Sequence, residues 1–245
     1  MEPDMGSENL EHVPTRLNEL AARYGLAESQ RGQLAALLTV LAEDELAPTA
    51  VRAPTRALDV HLADSLVALE SEPVRMAHTI ADLGAGAGFP GLPLAVAVPA
   101  SEVTLLDSQA RKCAFIERLR GAARIENART VCTRVEEWPE GIEQHDVVLA
   151  RALAAQPVVL EYAAPLLRVG GTLIDWRGRR DAGEEARASA AAEELHLRRI
   201  EIRHVEPYAG ALQHNLHLYL KVGPSPDRFP RRSGVARKRP LGGSG

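Results

Sequence analysis

Apolar side chains recur every three or four positions in the first third of the chain. Four leucines between positions 34 and 41 follow the i, i+3, i+4, i+7 spacing, which puts them on one face of a helix. Weaker signals of the same kind lie on either side. The predicted helices cover 16–24, 27–46 and 56–70.

From residue 76 the pattern changes to short apolar runs separated by helical stretches. Strands that alternate with helices pair in parallel through crossovers. The last two runs have no helix between them, so they are expected to form an antiparallel hairpin. The predicted strands are 78–83, 103–107, 128–132, 146–150, 172–176, 197–205 and 216–222, and the helices among them are 91–98, 111–121, 157–167 and 182–195.

These patterns divide the chain into four parts. A disordered start (1–14) precedes an N-terminal helical cap (15–75), an α/β domain (76–222) and a basic tail (223–245). A mostly parallel seven-stranded sheet that ends with one antiparallel strand is typical of the Rossmann-like class I methyltransferases. We therefore expect this α/β fold with the helical cap in front of it.

Composition excludes several other classes of protein. No apolar run approaches the ~20 residues that span a bilayer, and the acidic N-terminus does not resemble a secretory signal. We therefore expect a cytoplasmic protein without a membrane partner. Cys113 and Cys132 are too few for a disulfide framework and have no metal-ligand spacing, so we expect no metal and assign both to core positions.

Charge is distributed unevenly along the chain. The net charge is −4, but 223–245 carry six basic residues and one acid, so the tail is +5 and the preceding part is −9. A basic tail attracts phosphates over about a Debye length. A solvated, disordered terminus is the alternative. The basic residues are Arg228, Arg231, Arg232, Arg237, Lys238 and Arg239.

A glycine loop follows the first apolar strand. Gly84, Gly86 and Gly88 have no Cβ, so the backbone can turn sharply and a ligand can lie against it. Asp107 stands 23 residues after Gly84, at the end of the next strand, where an acid can bind ribose hydroxyls. The pattern predicts a nucleoside-cofactor pocket, and a purely structural turn is the alternative.

Two prolines distinguish this loop from a dinucleotide-binding loop. Pro90 and Pro93 lie where the following helix begins, a position that tolerates proline but then offers fewer N–H donors to a pyrophosphate. A phosphate-free adenosyl ligand is therefore favoured over NAD. We expect S-adenosyl-L-methionine as the cofactor.

The ends of the third and fourth strands supply further candidates. Val135 and Glu136 are expected beside the adenine, and Arg134 and Arg151 are expected to position cofactor or RNA phosphate. Alternatively, Arg151 is a structural ion-pair partner of Asp82 or Glu136. No residue near the fourth strand end is assigned as a general base, which suits a nucleophile with a free lone pair, such as guanine N7.

One helical segment before the sheet also holds polar residues. His61, Asp64 and Ser65 lie on the predicted helix 56–70. A histidine on an apolar helix face is usually a packed core residue. The other interpretation is that these residues form a wall over the mouth of the cofactor pocket.

Four motifs make the chain resemble one family, the bacterial small-subunit ribosomal RNA methyltransferase G family, also called glucose-inhibited division protein B. The match covers about 47–241, with departures at 46–51 and at 235–236 in the basic ending. The motifs are His61-Leu-Ala-Asp-Ser-Leu, the loop from Asp82 to Pro93, Leu106-Asp-Ser with Arg111-Lys and Phe115, and Arg134-Val-Glu-Glu with Ala150-Arg-Ala.

The resemblance implies an enzyme that methylates guanine N7 in the decoding-region loop of 16S rRNA, within a nearly assembled small ribosomal subunit. By this resemblance the basic tail binds RNA, and we expect a monomer. A non-catalytic, cofactor-binding RNA chaperone or assembly factor and a small-molecule methyltransferase are the alternatives. The implied cofactor contacts are Gly84, Phe89, Val135, Glu136 and Arg151, to which the loop and strand arguments add Gly86 and Asp107.

Overall fold

The computed structural model describes residues 7–243, and a single seven-stranded sheet lies at its centre. The strands are β1 Thr79–Leu83, β2 Glu102–Leu106, β3 Ala128–Val131, β4 His145–Arg151, β5 Leu167–Arg177, β6 Leu197–Val205 and β7 His214–Lys221. Each overlaps one strand predicted from the sequence.

The strand order is β3-β2-β1-β4-β5-β7-β6. Neighbouring strands from β3 to β5 are parallel, whereas β7 is antiparallel to both β5 and β6. The predicted hairpin of the last two strands and the predicted fold class are both confirmed. The carboxyl ends of β1, β2, β3, β4 and β5 meet at one edge of the sheet.

The fifth strand differs from its prediction. It begins at Leu167, whereas the sequence predicts a helix through 167 and a strand only from 172. The preceding helix ends at Ala163. Gly170 and Gly171 weaken the strand prediction because glycine has a low β propensity. A Cβ on Gly171 would nevertheless lie 2.9 Å from the His145 carbonyl oxygen. Glycine is therefore needed where β5 lies this close to β4.

Helices cover the N-terminal region and both faces of the sheet. In the stretch 54–70, π-helix (Leu58–Ala63) and 3₁₀-helix (Val67–Glu70) segments alternate with short α-helices. The α-helices are α1 Ser7–Arg23, α2 Glu28–Glu43, α3 Pro54–Ala57, α4 Asp64–Leu66, α5 Glu72–Met76, α6 Gly91–Ala97, α7 Ala110–Ala122, α8 Gln156–Ala163, α9 Ala182–Glu194 and α10 Val235–Lys238.

The start of the chain was expected to be disordered over 1–14. Residues 1–6 lie outside the described residues, but 7–14 are helical in α1, so the prediction is wrong for that part. Pro14 lies inside the helix, and a proline there is normally a reason to end one. Leu17 and Leu20 lie in the predicted helix 16–24, are buried in the hydrophobic core and stabilise α1, which begins nine residues earlier than predicted.

Two hydrophobic clusters flank the sheet. One joins the N-terminal helices to α6 and α7, so these helices share a core with the sheet. The other joins α8 and α9 to the opposite face. Cys113 is buried as predicted, but Cys132 is exposed, because it follows the edge strand β3. Within the described residues, every helix is too short or too polar to cross a bilayer.

Candidate cofactor pocket and the adjoining cavity

The glycine loop leaves the sheet directly after β1. Gly84, Gly86 and Gly88 have φ angles of +66°, +60° and +90°, a region that residues with a Cβ rarely adopt. Ala85 donates its N–H to the Leu106 carbonyl at 2.8 Å, which ties the loop to the end of β2. The sequence therefore needs glycines at these positions for the backbone turn itself.

Asp107 organises this loop. Its Oδ2 accepts a hydrogen bond from Gly86 N at 3.1 Å, and its Oδ1 accepts one from Gln109 N at 2.9 Å. Lys112 Nζ lies 3.5 Å from Oδ2. A carboxylate has about four acceptor positions, so these contacts leave room for ribose hydroxyls.

A cavity of about 210 Å³ opens between the ends of β1, β2, β3 and β4. It brings together five residues singled out in the sequence: Gly84, Asp107, Arg134, Val135 and Glu136. Sequence reasoning assigned no role there to four others, Gln109, Lys112, Leu153 and Tyr162, and assigned Arg237 to RNA. Of these, Lys112 had a usable signal, since it belongs to the motif that contains Asp107.

Three residues predicted to contact the cofactor do not line this cavity. Gly86 faces Asp107 through its N–H. Phe89 is buried and stacks on the His61 ring, with 4.6 Å between centroids and 13° between planes. The third, Arg151, lines a different cavity.

His61 is a packed residue behind the glycine loop. Its Nε2 lies 3.1 Å from the Val51 carbonyl oxygen. Burial, together with the nearby charge of Arg151, lowers the pKa of His61 to about 4, so the ring is neutral at pH 7. Of the two interpretations of this histidine, the structure supports the core residue.

Arg151 forms an ion pair with a residue that the sequence did not suggest. Its Nη1 donates to Asp64 Oδ2 at 2.7 Å and to the Val60 carbonyl at 3.0 Å. Asp82 and Glu136, the two partners considered from sequence, instead accept backbone N–H groups. Neither local pattern nor spacing could predict this pair, because 87 residues separate its members.

Asp82 joins the end of β1 to the start of α6. Its Oδ2 accepts a hydrogen bond from Gly91 N at 2.8 Å. Burial raises the pKa of Asp82 to about 7, although the Gly91 N–H and the charge of Arg151 oppose the shift. The carboxyl therefore positions the helix that follows the loop.

A second cavity of about 360 Å³ lies beyond β4. Asp64 forms one side, where its Oδ1 is 2.9 Å from His214 Nδ1 and its carbonyl oxygen accepts the Trp176 indole N–H at 2.9 Å. Arginines 151, 177, 179 and 180 also line it, together with several acids. Three of these arginines are paired: Arg151 with Asp64, Arg177 with Asp175 and Glu184, and Arg180 with Glu185.

Buried polar groups also order the far wall of this cavity. Gln156 Nε2 donates to Asp175 Oδ2 at 3.1 Å and to His217 Nδ1 at 2.9 Å. Burial lowers the pKa of His217 to about 4, so the ring is neutral at pH 7. Burial raises the pKa of Asp175 to about 7.

Ala152 is the residue that lines both cavities. Its φ is +52°, which costs a residue with a Cβ about 1–2 kcal/mol. Backbone strain of this kind concentrates at functional sites. The two cavities therefore adjoin at a strained turn directly after β4.

The residues that line the first cavity suit the chemistry of S-adenosyl-L-methionine. A carboxylate stands at the end of β2 for the ribose, and apolar side chains of Leu106, Val135 and Leu153 line the space where a flat base would lie. A Cβ on Gly84 would come within 2.5 Å of Leu153 Cδ1, so glycine at this position also allows the loop after β1 to pack closely against Leu153.

Strand order, the loop after β1 and the acid after β2 define the Rossmann-like fold of class I methyltransferases. Solved structures with this fold include a SAM-dependent methyltransferase from Aquifex aeolicus (TM-score 0.54, 16% identity, covering 68% of this chain and 93% of that one). Aeropyrum pernix fibrillarin with bound S-adenosyl-L-methionine has a TM-score of 0.52 at 16% identity, over 64% of this chain and 73% of that one.

The chain belongs to the GidB family, described as rRNA small subunit methyltransferase G, which matches residues 31–211. It is 35% identical to the ribosomal RNA small subunit methyltransferase G of Chloroflexus aggregans, over 88% of this chain and 92% of that protein. It is 38% identical to the protein of the same name from a Synechococcus strain, over 76% and 71%.

Proposed function

We propose that this protein transfers the methyl group of S-adenosyl-L-methionine to N7 of a guanine in the decoding-region loop of 16S rRNA. The observation that carries the proposal is the meeting of two cavities at Ala152. A methyl donor and its acceptor must lie within contact distance, and two separate cavities with one shared residue supply that arrangement. The family membership supports ribosomal RNA as the substrate.

The first cavity is the donor side in this proposal. Asp107 would bind the ribose hydroxyls, and Val135 and Glu136 would lie beside the adenine. Gly84 would lie against the amino-acid part of the cofactor. When bound, the cofactor supplies a methyl group on a positively charged sulfur. The residues that line this cavity would hold the cofactor so that its methyl group can reach the second cavity past Ala152.

The second cavity is the acceptor side. Guanine N7 has a free lone pair and no proton to lose, so methylation at this atom would need no general base from the protein. Such a reaction needs alignment more than acid–base catalysis, and alignment can supply about 7–11 kcal/mol of barrier lowering. Asp64 supports this role by holding Arg151 and His214 on the wall.

Exposed basic residues support RNA as the partner. Arg232, Lys238 and Arg239 are exposed on the C-terminal segment, where RNA phosphates could reach them. Arg228 is exposed but pairs with Glu194 at 2.6 Å. We propose that the small ribosomal subunit is the substrate, and that the protein acts on it as a monomer in the cytoplasm.

Methyl transfer to small subunits tests the proposal. Subunits from a strain without the gene are incubated with the protein and methyl-labelled cofactor. The nucleosides of the 16S rRNA are then identified by mass spectrometry. Label in 7-methylguanosine is expected, and Asp107→Ala should reduce it whereas Asp227→Ala, on an exposed loop, should not. Cofactor binding without any incorporation would contradict the proposal and favour an assembly factor.

A further inference from the structure

The C-terminal segment, defined here as residues 223–243, is folded against the body of the protein. Phe229 and Ala236 are 7% and 1% exposed and belong to the hydrophobic cluster under α8 and α9. Leu241 packs against the same cluster. The sequence alternative of a solvated, disordered terminus is therefore wrong for this segment, because apolar residues among the basic ones have a surface to pack on.

One buried ion pair anchors the segment. Arg231 Nε donates to Glu161 Oε1 at 2.6 Å and Arg231 Nη2 donates to Oε2, which makes a two-pronged contact. The Glu161 side chain on α8 is 3% exposed. Arg231 Nη2 also donates to the Arg239 carbonyl at 2.9 Å. Charge-assisted pairs of this geometry are among the stronger hydrogen bonds, so Arg231 serves the fold rather than RNA.

The same segment reaches the rim of the 210 Å³ cavity. Gly234 donates its N–H to Glu136 Oε1 at 2.9 Å, and its φ of +79° sets the turn into α10. Arg237, in the following turn, donates from Nη2 to the Leu153 carbonyl at 3.1 Å and lines the cavity beside Tyr162. The backbone of the C-terminal segment therefore contacts Glu136 after β3, and its Arg237 side chain contacts the backbone of Leu153 after β4.

We propose that the C-terminal segment is a wall of the cofactor pocket, that Arg237 is a cofactor-binding residue and that the Arg231–Glu161 pair positions it. This inference rests on the proposed function. The ligand group is the adenine nucleoside, because Val135, Glu136 and Arg237 line the same cavity and Gly234, three residues before Arg237, is hydrogen-bonded to Glu136. A planar guanidinium stacks on flat aromatic rings and donates to ring nitrogens, which a lysine does much less well.

Calorimetric binding of S-adenosylhomocysteine to the full chain tests Arg237. Arg237→Met should weaken binding about tenfold, which corresponds to the loss of one charge-assisted contact. Arg237→Lys should lie between wild type and Arg237→Met. The matched control is Arg232→Met, an exposed arginine of the same segment outside the cavity, which should bind within about twofold of wild type.

A double-mutant cycle tests the positioning pair. Glu161→Gln should weaken binding of S-adenosylhomocysteine when Arg237 is present, yet add nothing in the Arg237→Met background. A merely structural role of Glu161 would lower the Tm and weaken binding equally in both backgrounds. Far-UV circular dichroism confirms that each variant is folded, and Glu161→Asp, which keeps the charge, should recover part of the affinity.

The outcomes separate this inference from the function on which it rests. If wild type binds S-adenosylhomocysteine and Arg237→Met binds it equally well, the inference is overturned and the proposed function stands. If wild type does not bind it at all, both are overturned. Additive losses in the double-mutant cycle would overturn the positioning role of the ion pair alone.

Discussion

The two cavities at the carboxyl edge of the sheet are held together by different kinds of contact. The smaller one depends on a local unit, in which Asp107 binds backbone N–H groups of Gly86 and Gln109. The larger one depends on side chains that are distant in sequence. Asp64 pairs with Arg151 and His214, which lie 87 and 150 residues further along the chain.

This difference separates two tasks. In the proposed function, the backbone loop that Asp107 fixes provides a rigid surface for a cofactor that is the same in every turnover. The ion pair of Asp64 with Arg151 forms part of the larger cavity and also joins the N-terminal helices to the end of β4. Changes in the smaller cavity should therefore affect cofactor affinity, whereas changes in the larger one should affect stability and methyl transfer.

The largest effect is expected at Asp64. Asp64→Ala leaves Arg151 without its carboxylate in a position where the arginine side chain is only 16% exposed. Loss of one member of a buried pair costs about 3–5 kcal/mol, so the free energy of unfolding in urea should fall by this order. Asp64→Asn, which keeps an acceptor, should lose less. An unchanged urea midpoint in Asp64→Ala would contradict the assigned pair.

Asp107 should show the opposite profile. Asp107→Ala removes the acceptor for the loop and, in the proposed function, for the ribose, and the loss of a hydrogen bond to a charged group costs about 1.5–3 kcal/mol. The dissociation constant of S-adenosylhomocysteine should rise about 10- to 100-fold by calorimetry, and Asp107→Asn should lie between. An unchanged affinity would remove Asp107 from the pocket.

Asp82 should give the protein a pH-dependent stability. Its folded pKa of about 7 is above the unfolded value of 3.8, so the folded state binds the extra proton between these values. The contribution of Asp82 to the free energy of unfolding therefore decreases as pH rises from about 4 to 7, by at most about 1.4 kcal/mol per unit. It is constant above pH 7.

Urea unfolding of wild type and Asp82→Asn across pH 4–8 measures this contribution. The wild type should lose stability relative to the variant as pH rises through this range, since asparagine does not titrate. A pH-independent difference between the two proteins would show that the Asp82 carboxyl is ionised throughout.

The smallest effect is expected at the junction of the cavities. Ala152→Gly relieves strain of about 1–2 kcal/mol at φ +52° but adds about 0.5–1 kcal/mol of backbone entropy to the unfolded state. The free energy of unfolding should rise by up to about 1.5 kcal/mol. The control Ala150→Gly, in the buried strand β4, should lower it. A loss of stability in Ala152→Gly would contradict the strain.

Local patterns predicted the parts of the fold that depend on neighbouring residues. The strands, the final hairpin and the glycine loop with Asp107 follow from apolar periodicity and fixed spacing. The early start of β5 was missed because Gly170 and Gly171 carry no strand signal, although close approach to β4 requires one of them. The helical residues from Ser7 were missed because Pro14 usually ends a helix.

Contacts between distant segments were not predictable in the same way. The partner of Arg151 is Asp64, and no spacing connects the helical stretch before β1 with the end of β4. The position of Arg231 depends on Glu161, 70 residues earlier. The positive charge of 223–245 indicated either phosphate binding or a solvated tail. It could not distinguish Arg231, which has a buried partner, from the other basic residues.

A crystal structure with S-adenosylhomocysteine tests the central assignment most directly. The ribose hydroxyls are expected on the Asp107 carboxylate, the adenine beside Val135 and the sulfur facing Ala152, where the second cavity begins. An empty crevice beside Gly84 and Asp107, or a ligand bound elsewhere with its sulfur turned away from Ala152, would contradict it.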